Sequence, residues 1–188
     1  MTRGLWLNNL MSWDTSPDNT NIALLQNGLL GRYTTGKSGT YRCPTDKFLS
    51  PLQRRLGWTE RVRSYSMNNC IGVGSVGFYP NYRTFVKLSD FASPCVIYVL
   101  MDEHADTIST PNIPTNPDPA GTSWEYLPAP YHNGGAVFSF ADGHCEAHRW
   151  LLSKTRKPVT YSGPSDITFP AFQNPDYTWV AERSSAPK

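Results

Sequence analysis

The sequence predicts one loop-rich globular domain built from short strands and a short helix. Three observations support this. Asp142-Gly143 separates two strand-like runs, Cys95 to Met101 is a continuous apolar run rich in β-branched residues, and 16 prolines with 14 glycines leave little room for long helices. At 188 residues the chain suits a single domain spanning 1–188, and a chain of this size buries roughly 70% of its unfolded surface.

Taken in order, residues 1–20 are polar and aromatic, with Trp6 and Trp13 set among Asn, Asp and Ser. Asn19 or Thr20 caps a predicted helix through Ile22, Ala23, Leu24, Leu25, Leu29 and Leu30, stopped near Gly31. This is the clearest helical pattern. Tyr41 to Asp46 reads as a loop fixed by Pro44, and Pro51 to Leu56 as a short amphipathic segment. Arg61 to Met67 alternates as a strand does, and the glycines from Gly72 to Gly77 form a flexible connection. They lack the strand-to-helix context and the Gly-Lys-Ser/Thr ending of a phosphate loop. Cys95 to Met101 should be a central strand, bounded by Pro94 and by Asp102-Glu103-His104. Residues 109–123 hold four prolines and form a long surface loop. Residues 151–188 are polar and wrap the surface, with Trp179 or Phe172 docking them.

The hairpin carries the sharpest expectation. If Asp142 and Gly143 make a two-residue type I′ turn, Ala141 pairs with His144, Phe140 with Cys145, Ser139 with Glu146 and Phe138 with Ala147. Phe138, Phe140, Cys145 and Ala147 then share an apolar face, and Ser139, His144, Glu146 and His148 a polar one.

A formal charge of +2 from 17 basic and 15 acidic residues, with the basic residues scattered, argues against nucleic-acid binding. No apolar run approaches the roughly 20 residues of a membrane span, and the chain as written begins without a signal peptide or anchor. Cys43, Cys70, Cys95 and Cys145 permit three full pairings, and none forms a Cys-x-x-Cys zinc pair. Cys95 and Cys145 lie in strand-like runs and read as core residues.

His132, nine intervening residues and Asp142-Gly143, followed by His144, match the naming motif of a known family. Further segments agree in order: Met11-Ser12-Trp13-Asp14, Tyr41 to Asp46, Ser64 to Asn68, Met101 to Ile108, and Asn174 to Trp179. On these residues the chain resembles the prepilin-type, H-x9-DG family of pseudopilin-like proteins, related to the major pseudopilin of type II secretion. The match covers most of the chain. The resemblance implies an α+β fold, with a small antiparallel sheet, a short helix and long decorating loops. It implies a structural or adhesive role in the cell envelope or outside the cell, with self-association or secretion-system subunits as partners. Family members begin with a processed leader and a long hydrophobic helix, whereas here the globular part follows Met1 directly. The sheet surface which that helix would cover is therefore expected either under the segment at 20–31 or in self-association.

Asp102, His104, His132, Asp142 and His144 form the candidate metal set, because they lie at a strand end, before the hairpin and at its turn. Carboxylates suit calcium, which the resemblance to major pseudopilins also favours, while mixed imidazole and carboxylate ligation suits zinc. The plainer reading is that His132 and Asp102 hydrogen-bond backbone groups to hold loops over the sheet. The rival class is a small hydrolase acting on a glycan or ester, or a carbohydrate-binding module, using the Asp102, Glu103, His132 and Asp142 cluster. For glycoside hydrolysis Asp102 or Glu103 would need Glu146 or Asp142 as the second carboxyl. Ser139, His144 and Glu146 on one hairpin face would permit serine chemistry, without a Gly-x-Ser-x-Gly elbow to support it. Trp124, Tyr126 and Tyr131 would be the aromatics available to stack on polysaccharide rings.

Overall fold

Strands β1 (Tyr65–Asn68), β2 (Tyr98–Asp102), β3 (Asn112–Ile113), β5 (Gly135–Phe140) and β6 (Cys145–Arg149) form one sheet in the order β3-β1-β2-β5-β6. This is a computed structural model, and it describes residues 6–34, 37–73, 77–163, 167–170 and 173–188. A second, two-stranded sheet pairs β4 (Ser123–Trp124) with β7 (Ile167–Thr168). The helices are α1 (Ile22–Gln26), α2 (Pro51–Arg55) and α3 (Pro175–Ser184). The chain is thus a small α+β domain. Its main sheet is mixed, because β3 runs parallel to β1 while the other pairs are antiparallel.

The run ending at Met101 becomes β2, the middle strand, as its apolar character on both faces requires. Residues 109–123 are not wholly loop: they supply the edge strand β3, whose Ile113 is fully buried. The predicted helix at 20–31 is real but shorter. Asn21, not Asn19 or Thr20, caps α1 by accepting from the Ala23 N–H, and Leu30 starts a separate 3-10 turn over Gly31–Tyr33. Helix α2 carries a capping box between Ser50 and Gln53.

The longest helix lies where the sequence suggested surface wrapping. Asn174 caps α3 by accepting from the Tyr177 N–H, Pro175 occupies its first turn, and Tyr177, Val180, Ala181 and Ser184 bury one face at helical spacing. Trp179 does dock this segment, packing edge-on to Phe138 with centroids 5.0 Å apart. Phe172 and the central part of the Gly72–Gly77 connection lie outside the described residues.

The two sheet faces bury different clusters. Tyr98, Met101, Phe138 and Phe140 point to one side, where α3, Trp124 and Trp150 close the main core. On the other side Met67 and Leu100 meet Trp6, Leu7, Met11, Leu25 and Leu30. The segment at 20–31 therefore covers the β1–β2 half of that face, while Cys145 and Ala147 at its outer end stay exposed.

The hairpin is out of the expected register by one residue. Ser139 pairs with Cys145, Phe138 with Glu146 and Val137 with Ala147, and the Phe140 N–H donates to the His144 carbonyl. The loop is therefore three residues, Ala141 to Gly143. Gly143 alone takes a positive φ, 94°, as in a type I turn closed by a glycine bulge. One slip exchanges every face assignment on β6. His144, Glu146 and His148 share the side of Phe138 and Phe140, whereas Ser139, Cys145 and Ala147 share the other. Cys145, expected in the core, is consequently exposed, and Cys95 is exposed because it lies in the turn before β2. Cys43 and Cys70 are buried, and all four cysteines are free thiols.

Candidate metal centre

Asp102 ends β2, and by alternation along the strand its side chain leaves the face opposite Met101. It is fully buried, and its Oδ2 accepts from the Val137 N–H at 3.0 Å. His132 reaches the same oxygen from the segment before β5, with Nε2 at 3.1 Å. Its position is set by a tight turn over Asn133-Gly134, whose φ values of 53° and 78° are both positive. Reciprocal backbone bonds between His132 and Gly135 close that turn. This is the type I′ geometry that the sequence reading placed at Asp142-Gly143, and Asn-Gly is its strongest sequence signal.

Cys43 completes the group. Its loop turns back through the Asp46 N–H to Cys43 carbonyl bond, and its own N–H donates to Ser64 Oγ at 2.6 Å. Its Sγ then lies 3.4 Å from His132 Nε2. The ligand atoms of Cys43, Asp102 and His132 all lie within 4.8 Å of one another, and the three residues could hold a metal ion.

Two features of this geometry suit a cation. One nitrogen, Nε2, contacts both the sulfur and the carboxylate, although a single N–H serves only one acceptor well. The other carboxylate oxygen, Asp102 Oδ1, is buried and finds no hydrogen-bond partner among the described residues. Burial pushes the Asp102 carboxyl above its usual range, opposed by the Val137 N–H and by His132. In a tetrahedral zinc site, metal–ligand lengths of about 2.0–2.3 Å give ligand–ligand edges of about 3.3–3.6 Å. The observed 3.4 and 3.1 Å are close to these.

Of the five residues in the predicted metal set, the structure unites Asp102 and His132. His132 and the Asp142-Gly143 turn sit at opposite ends of β5, a strand of six residues, and at about 3.3 Å per residue they lie too far apart to share an ion. Asp142 instead accepts from His144 Nδ1 at 2.6 Å at the exposed hairpin tip. His104 is buried apart, with Nε2 on the Lys157 carbonyl at 3.0 Å and Nδ1 accepting from the Asp106 N–H at 3.2 Å. Cys43 was missed because sequence gives no measure of which loop returns to the end of β2. Its one signal was Pro44, which stiffens the loop.

The catalytic candidates are dispersed. Glu103 is buried, accepts from Thr107 Oγ1 at 3.1 Å, and is pushed to about 7 by burial against the opposing effects of Ser66, Arg63 and Thr107. Glu146 pairs with Phe138 and so faces the side of Met101, away from Asp102. Ser139 likewise faces away from His144 and Glu146. Trp124 is buried in the main core and Tyr131 packs on Phe48 at 5.6 Å, so neither is presented as a free stacking surface.

Neither a family model, nor a curated protein, nor a solved structure matches this chain. Among the described residues no helix is long and apolar enough to cross a membrane.

Proposed function

We propose that this chain is a pseudopilin-like structural or adhesive domain of the cell envelope, in which a zinc-class ion on Cys43, Asp102 and His132 clasps three chain segments. The observation that carries this reading is the use of His132. The histidine of the H-x9-DG motif is committed to a joint between the Cys43 loop, the end of β2 and the start of β5. A joint of that kind ties three segments far apart in sequence, and its three donors leave the fourth position of a tetrahedral ion open. The thiolate selects zinc over calcium, which takes oxygen ligands. Ser64 and the Val137 N–H, which hold Cys43 and Asp102, act as orienting partners behind the donors. Self-association or assembly with secretion-system subunits is the corresponding mode of action.

Two experiments test this reading. Metal analysis of the purified protein should give close to one zinc per chain, lost in Cys43→Ser. Equal zinc content in that variant removes the clasp. Disruption of the gene, followed by cell fractionation with secretion and adhesion assays, tests the role. Accumulation in the envelope fraction with a secretion or adhesion defect on disruption is expected. An exclusively cytosolic product whose loss changes neither trait would overturn it.

A further inference from the structure

Away from the metal centre, a cleft of about 340 Å³ opens between the Met11–Asp14 loop and the Ala105–Ser109 loop, with Trp13 and Tyr161 along its wall. Its volume lies at the small end of ligand pockets, about 300–1,000 Å³. Among the described residues neither ring belongs to a hydrophobic core cluster, and both are only half-buried. Their positions are nonetheless closely specified.

Four separate devices hold them. Gln53, fully buried on α2, donates through Nε2 to the Ser12 carbonyl at 3.0 Å and the Asp14 carbonyl at 2.8 Å, gripping the loop on both sides of Trp13. Trp13 Nε1 donates to Asp106 Oδ1 at 3.0 Å, and Asp106 Oδ2 is fixed in turn by Thr160. The Arg61 guanidinium lies 4.1 Å from the Trp13 ring centre. It is buried, and its Nε, Nη1 and Nη2 make no hydrogen bond among the described residues; its charge is balanced by the buried Asp46 carboxylate, 3.7 Å from Nη2, with the Trp13 ring on its face. Finally, Tyr161 is held at φ 62°, a left-handed conformation rarely adopted by a bulky side chain, with its hydroxyl accepting from Arg54 Nη2 at 3.0 Å. The rings meet edge to face, with centroids 5.0 Å apart.

Backbone strain at Tyr161 and a buried ion pair whose guanidinium makes no hydrogen bond among the described residues surround two rings that belong to no core cluster. Such a cost is characteristic of a binding surface. We propose that this cleft binds an uncharged saccharide, with Trp13 and Tyr161 as its stacking wall. The lining argues for an uncharged ligand: it holds no cation to receive an acidic one, and its two carboxylates are already engaged, Asp106 by Trp13 and Thr160 and Asp14 Oδ1 by Ser12 and Ser16, which disfavours a cationic one. Aromatic faces carry negative charge density that attracts the polarised C–H groups of a pyranose. The Asp14 carboxylate and the Ser109 hydroxyl offer acceptors at the rim for its hydroxyls. This inference goes beyond the structural role proposed above and uses none of the metal donors.

Titration of the whole chain with neutral oligosaccharides (cello-, malto- and chito-oligomers) and with an acidic and an amino sugar, read by tryptophan fluorescence and calorimetry, tests it. A saturable response to at least one neutral series, weakened tenfold or more in Trp13→Ala, is expected. Tyr161→Gly keeps the fold independent of the result: relief of the strained φ should raise the melting temperature while binding weakens tenfold or more. No saturable binding by any neutral oligosaccharide, a preference for the charged sugars, or unchanged affinity in Tyr161→Gly would each overturn the proposal.

Discussion

At the level of single residues, the two neighbouring carboxylates that end β2 carry opposite demands. Each leaves one buried oxygen without a hydrogen-bond partner among the described residues, but Asp102 faces His132 and Cys43, whereas Glu103 feels the charge of Arg63, a fully buried arginine that donates to Asn9, Ser66 and three carbonyls. Because burial raises the folded Glu103 carboxyl to about 7 from 4.5, the native state binds more protons than the unfolded chain between those values. Its contribution to stability is therefore present at low pH and lost as pH rises through about 7. Glu103→Gln should remove that contribution: measured in chelator, the difference in melting temperature between wild type and variant should change across pH 4.5 to 7 and level off above. A constant difference over that window would place the ionisation elsewhere. Asp102 was legible in the sequence as a site residue because it follows a β-branched apolar run at a strand end. The Cys43 contact was not, since it depends on a chain separation of 89 residues between Cys43 and His132.

At the level of elements, the sequence showed that a hairpin exists and where its turn lies, but not its register. Asp142-Gly143 supports both a two-residue turn and a three-residue turn with a glycine bulge, and only the second leaves Gly143 as the one positive φ at the tip. The side-chain contacts go with the second: Phe140 stacks on the His144 ring at 4.3 Å across the turn, and His148 stacks on Trp179 of α3 at 3.8 Å, both on the side of Phe138. Helix α3 was not read from the sequence: Asn174-Pro175-Asp176 is a helix start, but the buried stripe of Tyr177, Val180, Ala181 and Ser184 includes small and polar residues that hide the pattern. Two glycines separate local from long-range constraint. Gly143→Ala meets no neighbour and should cost about 1 kcal/mol through its φ alone. Gly135→Ala would place a Cβ 2.2 Å from the His148 carbonyl oxygen and should cost several-fold more by prising β6 away. Denaturant midpoints of the two variants check this, and similar losses would contradict the close β5–β6 approach. Asn174→Ala should cost about 1 kcal/mol by removing the cap of α3.

At the level of the whole molecule, the sheet separates the main core from a second apolar cluster, and the candidate ion site lies at the end of the central strand, on the side of the second cluster. The main core on the α3 side and the cluster built on Trp6, Leu25 and Tyr41 meet through the sheet itself, with Met67 and Leu100 on the latter side. Cys43 belongs to the chain that wraps the second cluster, Asp102 to the central strand and His132 to the entry of the hairpin. An ion shared by these three donors adds a direct link between the wrapping segment and the sheet. Because ligand binding to the native state alone raises its stability, zinc should raise the melting temperature in proportion to the logarithm of its free concentration. It should also make the two clusters unfold together. Calorimetry of the zinc-loaded protein should therefore give one sharp transition. Chelation should lower it and broaden or split it, with the wrapping segment released first, as local unfolding of a less tightly held unit would require. Hydrogen exchange around Cys43 identifies that early step, and in Cys43→Ser both transition and exchange should be insensitive to chelator. A wild-type transition unmoved by zinc and chelator alike would show that the wrapping segment is held to the sheet without an ion, by packing such as that on Met67 and Leu100.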